Sequence, residues 1–133
     1  MSRKSVALLI ETSNGYCRGL LEGVISYMKE RGNWSVHIQQ TYTDKPPAWL
    51  NSWNADGIIA RIYTDHYGQH LLKLGIPTVD LNAAHHVKGI PWADIDDEAI
   101  AKLAFDHFTE RGFKNLAFCG DSQFAWSLRR CQQ

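Results

Sequence analysis

Apolar residues along this chain come in blocks rather than in strict alternation. Residues 6–10, 36–38, 57–60, 78–81 and 116–119 form short runs that are apolar at nearly every position. A strand buried on both faces reads this way, because helices cover both sides of a parallel sheet. Between the runs the spacing changes to three and four. Tyr16, Leu20, Leu21, Val24 and Met28 predict one apolar face of a helix over 16–31. Ile100, Leu103, Ala104 and Phe108 predict another over 97–111, with Asp96 or Asp97 as its cap and Asp97 and Glu98 at the positive end of its dipole. A weaker helix is expected over 65–74, and Pro46-Pro47 opens a loop or short helix through Trp53.

Three charged, helix-like stretches end at Gly32, Gly75 and Gly112, each followed by an apolar run. Glycine just past a helix end readily takes the left-handed conformation, so each is read as a helix stop. Strand and helix then alternate, which predicts an α/β fold: a doubly wound parallel sheet with helices on both faces. After the last apolar run, residues 121–130 read as a loop and the opening of a helix whose body is not in the sequence. The chain is therefore expected to be a fragment of a longer protein.

Composition narrows the function. The 133 residues carry 14 Lys+Arg against 14 Asp+Glu, and 44% are hydrophobic. That length suits one domain with a real core. Zero net charge argues against direct contact with nucleic acid, which needs clustered cations. The apolar runs fall far short of the roughly 18 residues of a membrane span, and the start of the chain lacks the longer apolar region of a secretory signal. Cys17, Cys119 and Cys131 form no CxxC pair, so reduced thiols in a cytoplasmic protein are expected, with Cys17 and Cys119 as small buried side chains.

In an open α/β sheet the ligand lies beyond the carboxyl ends of the strands. Those ends carry Glu11, Thr12, Ser13 and Asn14, then Arg61 and Tyr63, then Asp80 and Asn82, then Asp94 and Asp96, then Asp121 and Ser122. Carboxylates, amides and a guanidinium suit the adjacent hydroxyls of a polyol, and Tyr16, Tyr63 and Trp126 offer faces for a sugar ring. Other chemistries find no support. No GxGxxG follows the first strand, and no GxxxxGK[ST] occurs. His85-His86 are adjacent on a loop and do not converge on a metal. Cys119 has no histidine placed as its base, and GxSxG is missing. The acidic pair, aspartate and lysine of a phospho-receiver are absent at the corresponding strand ends. No cofactor, metal site or catalytic residue is expected, and the chain is not expected to be an enzyme.

Two motifs carry a resemblance. Residues 16–24 read Y-x-R-x-φ-φ-E-G-V just after a strand, and Asp96 precedes Gly112 and the run Leu116-Ala117-Phe118-Cys119-Gly120 at a characteristic spacing. With Trp34–Ile38, Ala55–Ala60 and Ile76–Val79 in support, the chain from Val6 onward resembles the sugar-sensing domain of xylose operon regulatory proteins. Those are AraC-family transcription regulators with a periplasmic-binding-protein-like effector domain of the LacI/GalR type. The resemblance implies a flavodoxin-like strand order, with 1–133 as the N-terminal subdomain. The second subdomain and the DNA-binding helix-turn-helix would both lie outside this chain. It further implies a sugar effector, xylose or another pentose, held between two lobes. Operator DNA would be reached only through the missing domain, and a homodimer without membrane contact is expected. By position it assigns Ser13, Asn14, Tyr16, Arg18, Asp96 and Arg130 to the ligand, with Arg129 in place of Arg130 if the register slips. Arg18 could instead pair with Glu22, and Asp96 could serve only as a cap. A transporter's solute-binding component is the alternative, ahead of a small flavodoxin-like enzyme.

Overall fold

The computed structural model describes residues 3–39, 45–82 and 86–133. The chain divides into two compact units, Met1–Ala93 and Asp94–Gln133. The first unit runs β1 (Lys4–Leu9), α1 (Gly15–Arg31), β2 (Trp34–Gln39), a 3-10 turn (Ala48–Asn51), β3 (Gly57–Ala60), α2 (Asp65–Lys73) and β4 (Thr78–Asp80). All strand pairs are parallel, in the order β2-β1-β3-β4. This is the expected α/β class and the flavodoxin-like order. The direction of winding reverses between β1 and β3.

β1 organises the core because its successive side chains point to opposite faces. Val6, Leu8 and Ile10 pack with Cys17 and Leu21 of α1. Ala7 and Leu9 pack with Leu50, Ile58, Ala60 and Ile62, and with Tyr67 and Leu71 of α2. Each large side chain so buried stabilises the fold by about 1.5–3 kcal/mol. Two-sided burial does not extend to β2. It is an edge strand, and Val36 and Ile38 are exposed. On α1 the stripe runs through Cys17, Leu21, Val24 and Met28, while Tyr16 points away from it and is exposed. The thiols divide similarly: Cys17 is buried, but Cys119 is exposed, contrary to expectation.

Two of the three glycine stops are left-handed, Gly75 at φ 67° and Gly112 at φ 85°. Gly32 is extended instead, at φ −110° and ψ 133°. Its small size is used for close approach, since an added Cβ would lie 3.1 Å from Met28 Cα.

The second unit holds α3 (Asp97–Glu110) and the seven-residue α4 (Ala125–Cys131). The Asp96 carboxylate caps α3, its Oδ1 accepting from Ala99 N at 2.9 Å. Two expectations fail here. Residues 116–119 form no strand, because an apolar run becomes a strand only where another backbone pairs with it. The apolar stripe of α3 is also uncovered: Ile100, Leu103 and Phe108 are exposed, and Asp97 is the buried residue of that helix. Within its own unit α3 has only the short α4 to pack against.

Candidate functional site

The winding reverses between β1 and β3, the place where an open α/β sheet receives its ligand, and polar side chains gather at these carboxyl ends. The loop leaving β1 is folded on itself. Glu11 Oε1 accepts from Ser13 Oγ at 2.9 Å and from Asn14 Nδ2, and Asn14 Oδ1 caps α1 by accepting from Cys17 N at 2.9 Å. Arg18 Nη1 donates to the Thr12 and Ser13 carbonyls at 3.0 and 3.2 Å, not to Glu22. Ser13, Asn14 and Arg18 are thus brought together by one loop and the first turn of the helix it caps.

Arg61 follows β3 and crosses to this loop. Its Nη1 donates to Cys17 Sγ at 2.8 Å and its Nη2 to Asn82 Oδ1 at 2.9 Å. The Tyr16 and Tyr63 rings lie over the guanidinium at 5.2 and 5.0 Å. Asp80 is buried and uses Oδ1 to accept from Ile62 N at 3.0 Å and Asn82 N at 2.9 Å. Asn82 Nδ2 returns a bond to the Ile62 carbonyl at 2.7 Å. The chain ends of β1, β3 and β4 are therefore stitched together by side chains of one small cluster. The sequence placed Arg61 and Asn82 at strand ends but gave no sign that they meet, because their partners lie 21 and 44 residues away.

A depression elsewhere in the first unit offers less chemistry. It lies over Val6, Ile59 and Val79 on a sheet face, and its charged members are already engaged. Lys4 Nζ donates to Asp56 Oδ1 at 3.0 Å and Ser5 N to Oδ2 at 2.8 Å. The Ser5 amide, followed by Lys4, holds the Asp56 carboxyl below its ordinary value.

In the second unit, Asp97 is gripped by two guanidinium groups. Arg129 Nε donates to Oδ2 at 2.7 Å and Arg130 Nε to Oδ1 at 2.8 Å, and Arg129 Nη2 also reaches Asp94 Oδ2 at 3.3 Å. The Arg130 guanidinium lies 4.9 Å from the Trp126 ring centre. Arg130 therefore meets Asp97 rather than Asp96, whose carboxylate is used as a cap. Among the described residues no group of three or more His, Cys, Asp or Glu side chains could hold a metal, and no helix is long and apolar enough to cross a membrane. His85 lies outside the described residues.

Residues 5–92 match the family model described as the XylR N-terminal domain. The chain is similar to the xylose operon regulatory protein of Escherichia coli strain K12, at 25% identity over 136 residues, covering 96% of this chain and 34% of that one. It is similar to the protein of the same name from Haemophilus influenzae, at 24% identity over 133 residues, covering 94% and 34%. The chain thus spans about a third of the length of these curated relatives. No solved structure matches it.

Proposed function

The chain belongs to the XylR N-terminal domain family, and on that premise we propose that it is the effector-sensing part of a sugar-responsive transcription regulator. The observation that carries this reading is the coincidence of the family match with the polar cluster at the β1/β3 switch point. The effector is a pentose or a derivative of one, with xylose as the parent sugar. Ser13 and Asn14 hydrogen-bond its hydroxyls, Tyr16 offers a ring face and Arg18 further donors.

In the proposed whole protein, residues 1–133 are one subdomain, and a second subdomain closes over the sugar. Closure shifts the pairing of helix-turn-helix domains outside this chain, with a coupling of about 1–3 kcal/mol. The regulator works as a cytoplasmic homodimer, and operator DNA is touched only by those outer domains. Its role is non-catalytic, in keeping with relatives named as regulators.

Calorimetry of the whole regulator, with both subdomains, against pentoses and their oxidised derivatives tests the reading. Heat of binding with at least one, lost in Asn14→Ala, is the expected result. No heat with any of them overturns it.

A further inference from the structure

Arg61 differs from the other charged groups at the carboxyl ends of the first unit's strands. Glu11 is engaged by Ser13 and Asn14 of its own loop. Asp80 is turned to the backbone amides of Ile62 and Asn82. Arg61 has neutral partners in the two bonds that fix it, a thiol sulfur and a side-chain amide oxygen. Sulfur is a weak acceptor. Among the described residues no carboxylate forms an ion pair with Arg61, and its buried Nε–H has no acceptor. The guanidinium carbon lies over the rings of Tyr16 and Tyr63, 5.2 and 5.0 Å from their centres.

A cation bonded to neutral groups and set at a topological switch point suits an oxyanion. Guanidinium and carboxylate match in shape and charge, and such bonds are stronger than those to neutral oxygens. Ser13, Asn14 and Glu11 stand on the adjoining loop and suit hydroxyl groups. We propose that the effector is a polyhydroxy carboxylate, an aldonate or uronate, with its carboxylate on Arg61 and its hydroxyls on the loop after β1. The inference deepens the sugar-sensing reading and rests on it, since it names the chemical class taken by the same site.

Calorimetry of the whole regulator, with both subdomains, against matched pairs tests it: xylose with xylonate, and arabinose with arabinonate. The acid of at least one pair is expected to bind roughly tenfold tighter than its neutral partner. That preference should weaken with added salt and collapse to within about twofold in Arg61→Gln, with Arg61→Lys between the two. Neutral sugars binding as tightly as their acids, or tighter, overturn the inference and leave the sugar-sensing reading standing. Equal losses for acid and neutral ligand in Arg61→Gln also overturn it, because they mark Arg61 as a support for the loops. Absence of binding across the whole panel overturns both readings. The acid-against-neutral comparison uses the unaltered protein, so it stands even if the variants fold poorly.

Discussion

Leu8 in the first unit is 1% exposed and Leu103 in the second is 69% exposed, although both belong to apolar patterns of similar strength. In the first unit a parallel sheet provides two faces, and α1, α2 and the 3-10 turn cover them. In the second, two helices carry Phe105, Phe108, Trp126 and Leu128 outward, and its best-buried contacts are polar. Asp97 between Arg129 and Arg130, and Ser127 accepting from Asp121 N at 3.0 Å, do there what Leu8 and Ile58 do in the sheet. Periodicity in a sequence marks which side chains can share a face. Burial of that face depends on a second surface.

The strongest way to break this contrast is a matched pair of truncations. Leu8→Ala should lower stability by about 2–5 kcal/mol, and Leu103→Ala should change it by less than about 0.5 kcal/mol, both read by urea denaturation. Similar losses would show that the second unit has an apolar core after all.

Alkali should separate the units next. Burial pushes the Tyr67 hydroxyl up to about 12 from its ordinary value of 10.0, so the folded state favours the neutral phenol. Its contribution is complete below pH 10 and is lost as the pH rises from 10 toward 12, to a total of about 3 kcal/mol. The second unit contains no tyrosine. Hydrogen exchange across that pH range should therefore show the first unit weakening through this group.

Removing the polar clamp tests the other side. Asp97→Ala leaves two partly exposed guanidinium groups without their shared carboxylate, and solvent softens the loss to about 1–3 kcal/mol. Faster amide exchange in α3 and α4, with the first unit unchanged, is the expected signature. The smallest effect sharpens the comparison in the opposite direction. Gly23 lies mid-helix in α1 with nothing within 4 Å of an added Cβ, so Gly23→Ala should stabilise by about 0.5–1 kcal/mol in thermal unfolding.

The elements were largely legible in the sequence, because β1, β3, α1 and α2 each announce themselves by local period and by their stops. What was not legible depends on distant partners. Residues 116–119 have the composition of a strand without its pairing, and Gly32 meets Met28 instead of turning left-handed. Of the expected ligand residues, Ser13, Asn14 and Arg18 do gather in one loop and the helix turn it caps, since they are close in sequence. Asp96 and Arg130 were each expected at the ligand, but Asp96 caps α3 and Arg130 bonds the buried Asp97, one residue along the helix. Arg61 could be seen to stand at a strand end. Its reach to Cys17 and Asn82 could not, because it exists only once β1, β3 and β4 lie side by side.

The stitching of Ile62 and Asn82 through the buried Asp80 carboxylate has an evolutionary consequence. It fixes the backbone at these strand ends through bonds made wholly within the protein. Neighbouring side chains can then be exchanged one at a time while the scaffold they stand on is inherited intact.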